Sequence, residues 1–163
     1  MSAFPAPGFE AKICAPADVA QRISHVRRPL VFTNGCFDIL HRGHVTYLAQ
    51  ARALGASMIV ALNTDASVKR QGKGEERPVN TLEDRLAIIA SLESVDLATW
   101  FDEDTPIVRI LECRPDILVK GGDWPVDSIV GAPEVRAWGG HVVSIPFLHQ
   151  RSTTTTLARI RGA

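Results

Sequence analysis

The chain has 163 residues, the size of one ordinary domain, which argues against a two-domain arrangement. Lys+Arg and Asp+Glu number 18 each, so the formal net charge is zero and no global field draws nucleic acid or a membrane surface. With 45 % apolar and 22 % charged residues, the composition is that of a globular domain with a core, which excludes disorder of the whole.

Residues 1–12, with Pro5, Pro7 and Gly8, read as a loose arm. Residues 17–27 follow, with Val19, Ile23 and Val26 at helical spacing behind Pro16. Together, 1–29 are expected to form an arm and helix packing on a domain of residues 30–163. An apolar run over 30–33 predicts the first strand, stopped by Asn34-Gly35. From Gly43 a helix carries Val45, Leu48, Ala49 and Leu54, with Gly55 closing it. Residues 57–62 predict a second strand, and 65–80 a polar loop with Lys69, Arg70, Lys73 and Arg77. Thr81 with Asp84 three residues on resembles a capping box, so a helix starts there. Strands at 95–101, 116–120 and 141–145 alternate with helices at 106–113, 134–138 and 152–161.

Short strands alternating with helices require crossover connections, hence a parallel sheet covered on both faces. The expected architecture is α/β: a Rossmann-like, doubly wound sheet of five parallel strands. Ligands in such sheets bind beyond the carboxyl ends of the strands, where strand order reverses. The first and fourth strands, both ending in glycine-containing polar turns, are expected to flank that point. Three widely spaced cysteines fit neither a disulfide framework nor a cysteine zinc site. The first residues lack a leader pattern and no apolar run approaches the roughly 18 residues of a membrane span, so a cytoplasmic domain is expected.

The densest chemistry lies at residues 33–44, TNGCFDILHRGH, at a strand-to-helix junction. Exposed N–H groups and the dipole of a helix N-terminus favour phosphate. His41 and His44, three apart, can project the same way, and Gly43 lets a ligand approach the backbone. An H-x-x-H pair alone fits surface or core histidines equally well, and H-E-x-x-H, the zincin pattern, is absent. No metal-ligand set is expected on the chain itself.

Gly35, Phe37, Asp38, His41, Gly43 and His44, in the order G-x-F-D-x-x-H-x-G-H, resemble the signature of the cytidylyltransferase-like nucleotidyltransferases. The basic segment 69–85, Val119-Lys-Gly-Gly-Asp-Trp124 and Ser152-Thr-Thr154 resemble that family's later motifs in register. Within it, the adenylyltransferase half of bifunctional heptose kinase/adenylyltransferases is nearest. That resemblance implies ATP and a manno-heptose 1-phosphate as substrates, ADP-heptose and pyrophosphate as products for lipopolysaccharide core, Mg²⁺ arriving with the ATP, and a homodimer. The length leaves no room for a kinase fold, so a free-standing adenylyltransferase is expected. Other phosphorylated acceptors (glycerol, ethanolamine or pantetheine phosphate) and an idle nucleotide-binding domain are the alternatives.

The resemblance assigns His41 and His44 to the triphosphate and, with Lys73, to catalysis. Thr33, Gly35, Cys36, Phe37, Asp38, Gly43, Lys120, Gly121, Gly122, Asp123, Ser152, Thr153 and Thr154 complete the nucleotide site it implies. Lys69, Lys73 and Arg77 are the expected substrate-phosphate cations. Two departures stand out. Phe147 replaces the arginine of glycerol-phosphate cytidylyltransferases, and Gln150-Arg151 replaces the Gly-Cys of heptose enzymes before Ser-Thr-Thr.

Overall fold

The structure is a computed structural model that describes residues 4–149 and 151–162. Gln150 and the first three residues of the expected arm lie outside the described residues. Among these, five parallel strands form one sheet: β1 (Leu30–Gly35), β2 (Ser57–Asn63), β3 (Leu97–Phe101), β4 (Ile117–Gly121) and β5 (His141–Ile145), in the order β3-β2-β1-β4-β5. β1 pairs with β2 from Leu30↔Ser57 to Gly35↔Leu62, and on its other side with β4 at Val31↔Ile117 and Phe32↔Leu118. Strand order therefore reverses between β1 and β4, as the two polar turns had suggested.

The helices are α1 (Val19–Ile23), α2 (Arg42–Arg52), α3 (Asp65–Arg70), α4 (Leu82–Ser91), α5 (Ile107–Cys113), α6 (Ala132–Ala137) and α7 (Thr153–Ile160). Side chains alternate across each strand, so the sheet builds two cores. Leu30, Phe32, Ile59 and Leu118 face Ile110 and Cys113 of α5 and Ala132 and Val135 of α6. Val31, Met58, Val60 and Val119 face Leu48 and Ala51 of α2 and Leu86 and Ile89 of α4. Each fully buried Leu, Ile, Val or Phe contributes about 1.5–3 kcal/mol relative to exposure. That anchors the strand ends on which the site is built.

Three local differences from the sequence reading have physical causes. The helix expected over 17–27 shortens to α1 behind a 3-10 turn at Pro16–Asp18, because residues 24–29 are needed to turn the chain into β1. α3 hides in the supposed polar loop: only Ser67 and Val68 are buried, too few for a periodic signal. Thr64 caps it, its hydroxyl accepting from Ser67 N–H at 3.1 Å. Within the expected arm, residues 4–8 are exposed, while Gly8–Lys12 forms a 3-10 helix whose Phe9 packs on the second core; beyond it Cys14 N–H donates to Ala98 O of β3 at 2.8 Å. The Thr81 cap of α4 does form, with its hydroxyl accepting from Asp84 N–H.

Candidate active site

β1 delivers the chain to the switch point, and residues 36–41 turn it into α2. The turn is tight: Phe37 adopts φ +47°, in the left-handed region, and its ring lies where a Cβ on Gly35 would sit, 3.0 Å away. A side chain at Gly35 would therefore have to push the Phe37 ring aside. Arg85, fully buried, clamps the turn from behind by donating to Cys36 O and Asn63 O, both at 2.8 Å, and pairs with Asp65 at 2.7 Å. Five N–H donors in a rigid fork suit this bridging of loop, strand and helix.

His41 is the N-cap of α2, its Nδ1 accepting from His44 N–H over a long 3.4 Å. With Nδ1 an acceptor, the neutral ring carries its proton on Nε2, leaving that N–H as a donor. The His41 and His44 rings stack with centroids 3.8 Å apart. Two stacked cations would repel, and burial reinforces that: the His44 pKa is pushed down to about 4 by burial and then by His41. His41 is lowered by burial and by the charge of Arg151. His44 Nδ1 is buried without a hydrogen-bond partner, an orphan that costs about 1–3 kcal/mol in a folded protein. Gly43 keeps the pair compact, since a Cβ there would meet the His41 ring at 3.0 Å and His149 O at 3.1 Å.

These residues form one wall of a cleft of about 250 Å³ lined by Cys36, Phe37, Asp38, His41, His44, Lys73, Arg77, Phe147, Arg151 and Ser152 to Thr154. The N-termini of α2 and α7 both open onto it, each a partial positive charge with unpaired N–H groups. Among the described residues, Asp38 is the only acidic one lining it, and that carboxylate is already neutralised. It accepts from Arg77 Nε at 2.5 Å and from Val79 and Asn80 N–H at 2.9 Å. Burial pushes its pKa up, but the two amides and Arg77 outweigh that and hold it below the usual carboxylate range. The cleft is therefore anion-seeking on a chain of zero net charge.

Smaller clefts lie beside it. One of about 140 Å³ shares Cys36, Phe37, His44 and Phe147 with the first and adds Asn34, Gly35, Tyr47, Lys120 and Gly121. Lys120 is depressed by burial and by the facing charge of Lys73. Lys73 in turn donates to Cys36 Sγ at 3.5 Å. Two ammonium groups this close make the space between them favourable for an anion. Gly121 leaves room for the aromatic wall, since a Cβ there would meet the Phe147 ring at 2.9 Å and the Tyr47 ring at 3.2 Å.

Of the residues expected in the site, His41, His44, Lys73, Cys36, Phe37, Gly35, Lys120, Gly121 and Ser152 to Thr154 line these two connected clefts, and Gly43 supports their wall. Asp38 and Arg77 also line the first cleft, as a closed pair, and four others take different places. Thr33 is fully buried in β1 with its hydroxyl bonded to Tyr47, beneath the cleft. Asp38 and Arg77 hold each other and the backbone of 79–80, so they shape the loop and neither offers a free charge. Gly122 N–H is consumed by Ile145 O at 2.8 Å, extending the sheet. Asp123 is exposed and outside the walls of both clefts. Lys69, once α3 exists, points along a separate cavity with Gly72, Gly74 and Glu75. Ser152 also differs in detail: its hydroxyl caps α7 by accepting from Thr155 N–H at 3.1 Å.

The sequence reading missed Tyr47, Asn34 and the aromatic wall of Phe147, which meets His44 and Tyr47 edge-on at 6.5 and 5.8 Å. Tyr47 is helix-periodic and looks like core, and burial raises its pKa far above the usual phenol range. Only the sheet reveals that it floors the cleft.

A cleft at the switch point of a 3-2-1-4-5 sheet, onto which two helix N-termini and Lys73 open, is a candidate anion site on an α/β domain. The cytidylyltransferase-like family model matches residues 32–156, and the chain belongs to that family, a class of nucleotidyltransferases. It is 54 % identical over 155 residues to the D-beta-D-heptose 1-phosphate adenylyltransferase of Bordetella bronchiseptica, covering 94 % of this chain and 96 % of that one. It is 49 % identical to the bifunctional protein HldE of a Marinomonas species, covering 90 % of this chain and 31 % of the longer protein. Among solved structures, the lipopolysaccharide core biosynthesis protein of Thermoplasma volcanium matches with a TM-score of 0.61 at 30 % identity, over 75 % of this chain and 98 % of that one. Pantoate-beta-alanine ligase of Francisella tularensis shares the fold alone, with a TM-score of 0.59 at 15 % identity over 87 % of this chain and 68 % of that one.

Proposed function

We propose that this chain transfers the adenylyl group of ATP to the phosphate of D-glycero-manno-heptose 1-phosphate, releasing pyrophosphate and forming ADP-heptose for lipopolysaccharide core. The observation that carries this reading is the convergence of two helix N-termini, Lys73, Lys120 and Arg151 on a trench whose single lining carboxylate is neutralised. The 54 % identical relative named for this acceptor supports the choice of sugar.

An acceptor phosphate oxygen attacks the α-phosphorus; one P–O bond forms and the bond to the leaving pyrophosphate breaks. The acceptor is already anionic, so no base must remove a proton. Catalysis is alignment plus charge stabilisation. The α2 N-terminus and the His41 Nε2–H face the triphosphate, and His44 meets the charge that develops at the α-phosphate. Lys73 and the α7 N-terminus hold the leaving pyrophosphate, and Lys120 the incoming phosphate. Mg²⁺ would arrive with ATP, bound mainly by substrate and water oxygens, and would offset the charge of the triphosphate. Asp38 has both oxygens engaged by Arg77, Val79 and Asn80, which leaves it a poor ligand for such an ion. The resemblance also implies a homodimer working in the cytoplasm, where ATP is supplied; no described helix is long and apolar enough to cross a membrane.

Pyrophosphate release measured with ATP and CTP against heptose 1-phosphate, glycerol 3-phosphate, ethanolamine phosphate and phosphopantetheine tests the reading. ATP with heptose 1-phosphate is expected to dominate. Turnover confined to CTP or to another acceptor refutes the acceptor assignment, and silence with all refutes catalysis.

A further inference from the structure

The segment that carries Lys73 is anchored at both ends and lightly held between them. Before it, Arg70 Nε at the end of α3 donates to Asp104 at 2.8 Å; after it, Arg77 is buried against Asp38 at 2.5 Å. Residues 71–76 between these anchors are exposed. Gly72 and Gly74 adopt φ +67° and +111°, a backbone region that strains residues with side chains. Among the described residues, the side chains of 72–76 make two polar contacts. Lys73 reaches Cys36 Sγ at a long 3.5 Å, and Glu76 Oε1 pairs with Arg161 at 3.1 Å. The Glu76 carboxylate folds back over Gly74, close enough that a Cβ there would meet it at 2.9 Å.

Arg161 is the C-cap of α7, the helix whose other end opens onto the same cleft as Lys73. α7 is itself lightly held. Thr153 is its one buried side chain, and that hydroxyl donates to Ile39 O over 3.4 Å. Eight helical residues rising 1.5 Å each put Arg161 roughly 12 Å from this contact. The Glu76–Arg161 pair therefore joins two elements with few other attachments, the Lys73 segment and α7. An exposed ion pair adds little to overall stability, because water screens it and two long side chains lose freedom. Its leverage is on geometry, since a charge displaced by about 1 Å loses much of its effect on a reacting group.

We propose that Glu76 and Arg161 are positioning residues for the transfer reaction, their ion pair latching the Lys73 segment to α7 and setting the spacing of the two walls that hold the leaving pyrophosphate. The proposal rests on the phosphate reading of the cleft given above. Neither side chain touches substrate; both act through Lys73 and the α7 N-terminus.

The sign of one effect separates this role from a plain field effect. If charge alone matters, removing a carboxylate near an anion site tightens anion binding, whereas losing the latch weakens it. Glu76→Gln and Arg161→Gln are each expected to weaken pyrophosphate binding about three- to fivefold by calorimetry, the most that one exposed pair supplies. The double variant should lose no more than either single one, and the swap of Glu76→Arg with Arg161→Glu should recover most of the loss. In turnover, kcat should fall by the same factor while KM for the acceptor, held at Lys120, stays put. Melting midpoints of all variants should stay within about 4 °C of the parent. Tighter or unchanged pyrophosphate binding in Glu76→Gln overturns the proposal, as does a swapped variant no better than the single ones. If the parent does not bind pyrophosphate, the phosphate reading fails and the latch with it. If pyrophosphate responds as expected while heptose 1-phosphate is not turned over, the latch stands and only the acceptor assignment falls.

Discussion

His44 gives the sharpest test, because its environment makes a quantitative claim about protons. Burial and the stacked His41 ring lower its pKa to about 4 from an ordinary 6.5. The folded chain thus keeps this ring neutral where the unfolded chain protonates it. The stability this contributes is fully present above pH 6.5 and is lost as the pH falls through about 4. One unit corresponds to about 1.4 kcal/mol, so the full effect is on the order of 3 kcal/mol. Between pH 7 and pH 4.5 it amounts to about 2 kcal/mol. His44→Leu keeps comparable volume between the Phe37 and Phe147 rings and removes the titration. Urea unfolding of both proteins at pH 7 and 4.5 measures the difference, since all other titrating groups are common to both. The variant should lose about 2 kcal/mol less than the parent on acidification. Equal losses in the two proteins would show that His44 titrates normally and that the stacked neutral pair is wrong.

Three further outcomes follow from the same geometry. ATP binding should take up protons at pH 6, because phosphate favours the charged form of both depressed imidazoles; calorimetry in buffers of different ionisation enthalpy reads this, and a buffer-independent enthalpy counts against phosphate at the pair. Lys73→Ala should lower kcat by about 10²–10³ in pyrophosphate release, the range for losing one transition-state donor, and an unaltered rate would return that loop to solvent. Asp38→Ala leaves Arg77 buried and unpaired and strips two backbone amides of their acceptor. It should destabilise by about 3–5 kcal/mol in denaturant unfolding, whereas a loss under about 1 kcal/mol would deny the pair its structural role.

Local periodicity and one dense motif carried a great deal. The alternation of apolar runs with helical stretches was enough to imply a parallel sheet, because crossover connections leave few other packings. The spacing of Gly35, Phe37, His41, Gly43 and His44 placed a turn and a helix start together, which is a local property. Charge pairing was not legible in the same way. Asp38 and Arg77 are 39 positions apart, and nothing in either neighbourhood says that each cancels the other. Lys69 and Lys73 look alike in a basic segment, yet α3 turns the first away and leaves the second at the cleft. Gly122 and Thr33 sit inside convincing motifs and are spent on the sheet edge and on Tyr47.

The sequence by itself determined the strand and helix pattern, the phosphate motif and the absence of any global attraction for polyanions. Zero net charge left the site invisible, because a sum has no position. The tertiary structure decided which charges remain free: it buried Arg77 against Asp38, set Lys73 opposite Lys120, and brought the N-terminus of α7 to that of α2. The physical reason is range. Backbone preferences act over a few residues and can be read along the chain, whereas charge neutralisation and cleft shape depend on side chains that only the folded sheet brings within contact distance.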